Sequence, residues 1–266
     1  MSGKSRQGIQ VDFADDIRQS FVVMRNEITK FMRGKKMLIY AALTAVLLAI
    51  VTVALVFFSE GGLGGLKGHQ IGENYTMLCT MMVMIAVTLF SSTSIVSEFE
   101  ERTALILFTK PIRKRSIYFG KLLASSVVIV GFVAIYYLFV AVLCLVGPGE
   151  VPVDLWTSFA IAVMYAFATT GVAFLISSVM KKSSTSAIMT FFILALLLDV
   201  LVTVVLLIVN GNVNEDDSWF MINSAGNDLM RVFSKSVDAL RDCAVLFVWG
   251  IVSMIGGYVL FKRRDF

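Results

Sequence analysis

Three prolines, three cysteines and one histidine are all that the 266 residues hold of these types. A lone His69 cannot build the histidine-rich ligand sets of catalytic zinc. Cys79, Cys144 and Cys243 lie in or at the edge of apolar runs, with no metal-ligand spacing, and an odd count gives no disulfide framework. They read as small apolar fillers. So few prolines exclude a proline-rich linker and an all-β sandwich. Charge is scarce too: 16% of residues, where soluble domains carry about 25%. That excludes an ordinary soluble enzyme and a disordered tail. No Gly-x-x-x-x-Gly-Lys-Ser/Thr occurs, since the glycine-rich stretch 61–68 lacks a glycine before Lys67. The chain is therefore expected to hold no ATPase site of its own, and no nucleophile elbow is visible.

Long apolar runs fill the space. Apolar residues make up 58% and the mean hydropathy is +0.83. A membrane helix needs about 20 apolar residues. Charge-free runs predict six spans, at roughly 38–58, 75–96, 122–146, 155–179, 187–209 and 243–261. Runs this long exceed any strand, and the alternation of a transmembrane barrel is missing. The fold class is thus an all-α membrane protein of six transmembrane helices. Ala41, Ala45 and Ala49, and Ser253 with Gly257, have spacings that permit close helix contact. The only charge inside a run is Asp199, in the fifth span. A carboxylate there is expensive, so it lines a polar path or is a neutral acid hydrogen-bonded to a neighbouring helix.

Basic residues set the orientation. Segments 1–36, 97–121, 181–182 and 262–264 hold 19 of the 23 Lys and Arg; the alternate connections hold four. This asymmetry places both termini in the cytoplasm. The net charge of +4 is therefore a topology signal and not a sign of nucleic-acid binding. The first 36 residues are mostly polar and do not read as a signal peptide.

Three segments outside the spans carry information. In 14–36, Ile17, Phe21, Met24, Ile28, Phe31 and Met32 recur at spacings of three and four, opposite Arg18, Arg25, Lys30, Arg33 and Lys35. This predicts an amphipathic interfacial helix, acting as a basic membrane anchor or as an elbow that also touches a cytoplasmic partner. In the connection 97–121, Ser97 and Glu100 form a capping-box pattern that predicts a helix start, and Glu98 can pair with Arg102 four residues on. Five apolar residues, 104–108, need a surface to bury against, Pro111 stops the helix, and Arg113, Lys114 and Arg115 face the anionic lipid surface. The segment 210–242 opens with a polar acidic turn, continues with the apolar 219–222, and places Leu229, Val232, Phe233, Val237 and Leu240 on one helical face. It reads as an interfacial or re-entrant element.

Taken together, Glu98-Phe-Glu100-Glu-Arg-Thr103, the apolar run, Pro111-Ile112 and Gly120-Lys121 resemble the permease subunits of ABC transporters of the ABC-2 family, in particular the six-span type related to nitrous-oxide-reductase maturation permeases. Arg25-x-Glu27-Ile-x-Lys30 and the ending Phe261-Lys-Arg-Arg-Asp265 are similar to the same family. Arg102 stands where the family often has glycine, and Arg113 where it has Ser or Thr. The resemblance implies that 97–121 is a coupling loop docking into a separate ATP-binding subunit. Glu98, Glu100, Glu101, Arg102, Thr103 and Arg113 would supply polar contacts, Leu105 to Phe108 the buried surface, and Pro111 the exit direction. It further implies two copies of the ATPase, which carry the ATP and Mg, with no cofactor on this chain. A second permease chain, identical or paralogous, would complete the path in the plasma membrane, with 210–242 as a gate and export as the direction. Two other readings stand beside it: a secondary transporter or channel using Asp199, and a non-transporting membrane scaffold with the same ATPase partner.

Overall fold

The computed structural model describes residues 7–59, 62–100, 113–210, 219–235 and 237–263, with the side chains of 7–15, 199, 202, 209 and 210 outside the description. Glu101, Arg102, Thr103, Leu105, Phe108, Pro111, the acidic run 215–217 and the side chain of Asp199 therefore lie outside the described residues. Every regular element among the described residues is helical.

Helix α1 (Gln7–Arg33) ends at Gly34, whose extended backbone turns the chain into α2 (Lys35–Phe58). Next come α3 (Gly68–Ala86), a π turn over Val87–Ser91 and the short α4 (Val96–Glu100). Beyond the loop, α5 (Lys114–Val146) runs to Gly149, whose φ of 82° suits a residue without Cβ and whose N–H returns to the Cys144 carbonyl. Helix α6 (Asp154–Val179) leads to α7 (Ser183–Phe192), which passes through a second π turn, Ile193–Leu197, into α8 (Leu198–Asn210). Helices α9 (Ile222–Arg231) and α10 (Ala239–Arg263) complete the chain. Among the described residues, five helices are long and apolar enough to cross a membrane. The fifth expected span runs through α7, its π turn and α8.

Two expectations about boundaries change. No capped helix starts at Ser97: the N–H groups of Ser97 and Glu98 already donate to the carbonyls of Thr93 and Ile95, so α4 prolongs the second span. The helix within 210–242 lies earlier than the apolar face at 229–240 suggests. Ile222, Ala225, Gly226 and Leu229 are the buried stripe of α9, whereas Leu240 is 85% exposed on α10. The stripe is interrupted by two small residues, which hides it in a hydropathy reading.

Contacts fix two ends. At one, Arg113 pairs with Asp16, Ser183 with Glu100 and Phe99 with Phe261, so the start of α5 meets α1, while the start of α7 and the end of α10 meet α4. We refer to this as the basic end. At the opposite end His69 pairs with Asp154, and Phe233 lies on Gly72. Helices α6 and α10 form the closest pair: a Cβ on Gly171 would stand 2.8 Å from the Gly250 carbonyl oxygen. Ser253 and Gly257 face this seam, as small residues should at a helix contact without water. The spacing Ala41, Ala45, Ala49 instead lies exposed on α2, which buries only Tyr40. Neither α2 nor α8 packs extensively on the rest of the bundle.

Candidate functional site

At the basic end α1 crosses the start of α5. Asp16, Ser20, Val23, Glu27, Ile28 and Phe31 form its inner side, while Arg18, Arg25 and Arg33 face outward. The crossing is close because residue 120 is glycine: a Cβ there would stand 2.7 Å from the Ser20 carbonyl oxygen and 2.7 Å from the Val23 Cβ. This approach brings Glu27 onto the next residue of α5, Lys121.

Lys121 is 2% exposed. Its Nζ donates to Glu27 Oε1 at 2.7 Å, Glu98 Oε1 at 2.9 Å and the Ser94 carbonyl at 3.1 Å. An ammonium has three N–H donors, and all three are used. Lys30 approaches Glu98 at 3.6 Å from the exposed side. Two lysines and two glutamates leave the group neutral, which offsets part of the cost of taking charge out of water. Around it, Arg113 pairs with Asp16 at 3.2 Å, Ser116 Oγ donates to the Asp16 carbonyl and Lys36 Nζ donates to Thr93 Oγ1. The Glu100 carboxylate accepts the N–H of Ser183 at 2.8 Å, capping α7.

Of the expected loop residues, the structure thus places Glu98 in the ion cluster, Glu100 on the first residue of α7 and Arg113 on α1. Both roots of the loop are fastened. Sequence reasoning passed over Glu27 and Lys121 as a pair, although Gly120-Lys121 and Arg25-x-Glu27 were both noted in the resemblance. The available signal was a lysine at the mouth of an apolar run, and the charge count absorbed it.

The opposite end holds α9. Its Leu229 carbonyl accepts Ser158 Oγ at 2.8 Å, and Ser158 also meets the Tyr137 hydroxyl. Trp249 Nε1 donates to the Phe220 carbonyl, and Asn223 Nδ2 to the Leu194 carbonyl at 2.6 Å. Gly226 lets α9 lie on the Tyr165 ring, where a Cβ would come within 2.7 Å. Asp199 sits on α8, two residues past the second π turn. An apolar groove of about 350 Å³ between α5 and α6 is lined by Ile135, Leu138, Trp156 and Phe159 among others. No cluster of three or more His, Cys, Asp or Glu side chains among the described residues could hold a metal ion. What the basic-end arrangement can do is mechanical: it binds the two roots of one loop to three different helices.

Residues 21–266 match the family described as ABC-2 family transporter protein. No curated protein matches the chain.

Proposed function

The chain belongs to the ABC-2 transporter family, and from that premise we propose that it is the membrane subunit through which a separate ATP-hydrolysing subunit drives export. The family makes it a permease component of an ABC transporter and implies an ABC ATP-binding partner. Export, coupling through 97–121 and the assembly of two permease chains with two ATPases form the present reading. In it the basic end faces the cytoplasm of the cell that carries the protein in its plasma membrane, in keeping with the 19-to-4 division of Lys and Arg.

The observation that carries this reading is the Lys121 cluster. A loop that only linked two spans would not need its root nailed to the interfacial helix by a buried lysine and two glutamates. A loop that receives force does, because a push on it must reach the bundle without loss in slack side chains. Glu98 then acts from within, as the anchor of the loop. Glu101, Arg102, Thr103, Leu105, Phe108 and Pro111 remain for the partner's surface, with Glu100 and Arg113 at its margins. The weakly packed, apolar α2 and α8 fit a second permease chain laid alongside.

The test is a mild-detergent pull-down of the tagged protein from its host, with ATP hydrolysis assayed in the eluate. We expect an ATPase to co-purify and to be lost from a Leu105→Ser, Phe108→Ser variant that still inserts in the membrane. A chain that emerges alone, or a partner that stays bound to that variant, would overturn the docking role of the loop.

A further inference from the structure

The two π turns differ in how they satisfy their own backbone. A π turn shifts a hydrogen bond from the fourth to the fifth preceding residue and strands one carbonyl. In the second span the Ser92 N–H reaches Val87, and the bypassed Thr88 carbonyl is taken by Ser92's own hydroxyl. In the fifth span the Leu198 N–H reaches Ile193, and the bypassed carbonyl is that of Leu194. Its donor comes from 29 residues away: the amide of Asn223 on α9, at 2.6 Å. Leu194 is fully buried and Asn223 is 5% exposed, so water does not compete for this bond.

The other end of α7 is fastened as well. Its first N–H is held by Glu100, and Ser186 Oγ donates at 2.6 Å to the Ser92 carbonyl, just past the π turn of the second span. Helix α7 is therefore fastened at the loop root and, through its π turn, at α9, with α6 and the first π turn packed along its side. Beyond the outer attachment, α8 makes no extensive contact with another described element.

We propose that α7 is a lever that carries displacement of the 97–121 loop to the outer helix α9, and that Asn223 is the positioning residue at its far end. This rests on the reading that a nucleotide-driven partner moves the loop. When the root shifts, Glu100 and Ser186 take the near end of α7 with it. The π turn lets α7 tilt without dragging α8, and the Asn223 amide, bonded to Leu194 within that turn, passes the tilt to α9. Ser158 and Trp249 hold α9 against α6 and α10, so the movement is a rocking of α9 on the bundle rather than its release.

The test uses the complex with its ATPase in lipid nanodiscs, nucleotide-free and trapped with ATP, Mg and vanadate. In a Cys243→Ser background, spin labels at Lys181→Cys and Lys262→Cys report the basic end, and labels at Asn227→Cys and Leu240→Cys report α9. We expect trapping to shift both distances. With Asn223→Leu the basic-end shift persists, while the shifted population at α9 falls about fivefold or more. Asn223→Gln, which keeps an amide donor, restores part of it. Should Asn223→Leu fail to assemble, Ser186→Ala carries the test with the same selective loss at α9. An α9 shift that is unchanged in these variants, or absent in the parent while the basic end moves, overturns the lever alone. A basic end that does not respond to nucleotide overturns the ATP-driven reading and the lever with it.

Discussion

At the basic end, helices are joined through a buried lysine and its carboxylates; at the opposite end α9 is joined largely through amides, hydroxyls and carbonyls, beside the buried carboxyls of Asp228 and Asp242. Lys121 takes two carboxylates and a carbonyl, with Lys30 and Arg113 adding ion pairs at the margin. Around α9 the fastenings to its neighbours include Ser158 to Leu229, Asn223 to Leu194 and Trp249 to Phe220. The difference teaches where each end is vulnerable. A buried ion cluster collapses when one member is removed, because the remaining charges lose their partner. A set of neutral hydrogen bonds loses its members one at a time, each for a modest sum. On the proposed reading, the end that receives force has the first kind of joint and the end that rocks within the bundle has mostly the second.

The sharpest way to break this contrast is Lys121→Met. It removes the nearest cation from Glu27 and Glu98, each only 12% exposed in its side chain, while Lys30 still approaches Glu98, and should cost about 3–5 kcal/mol, read as a large drop in the thermal unfolding midpoint in detergent. A drop no larger than that of a surface substitution would sink the ion-cluster account. Next in size are the glycine crossings. Gly120→Ala should cost about 1–3 kcal/mol because the new methyl meets the Ser20 backbone and α1 must lift as a whole. Gly226→Ala meets the Tyr165 ring, a side chain rather than backbone, so its midpoint should fall less. The reverse order would show that α1 rides loosely on α5.

Ser158→Ala removes a donor to Leu229 and a partner of Tyr137. It should cost about 1–2 kcal/mol, and faster hydrogen exchange in α9 would be the measurement that locates the loss. Smallest is Arg113→Ala. Its pair with Asp16 is 46% exposed on the arginine side, so the loss should stay under about 1 kcal/mol. It should vanish when unfolding is repeated near 1 M salt, where the Debye length is about 3 Å. A salt-independent loss would mean that Arg113 works by packing rather than charge.

Hydropathy and charge made the helical membrane class legible, since a bilayer tolerates little else. The same lens concealed the joints. Lys121 stands one residue outside the charge-free run that begins at Leu122, so it counted toward orientation and not toward structure. Glu98 has an i+4 partner in Arg102, and sequence alone ranks that local pair above a lysine 23 residues away. The π turns leave no compositional trace: Val87–Ser91 and Ile193–Leu197 read as ordinary stretches of apolar helix. Asn223 lies in a segment whose aromatic residues drew attention to themselves, and its target is a carbonyl, which no side-chain pattern records.

The π turn at Ile193–Leu197 also has a consequence for insertions and deletions. Such a turn is equivalent to one residue added to an α-helix. Removing a single residue from it would let the helix regularise with α8 keeping its phase, whereas closing the turn with all five residues kept would swing α8 by about 100° relative to α7. Helix α8, Leu198–Asn210, would then turn a different face to its surroundings. The angular phase between the two halves of the fifth span is therefore held by the π turn itself, and a single-residue deletion within these five residues should be better tolerated than one elsewhere in α7 or α8.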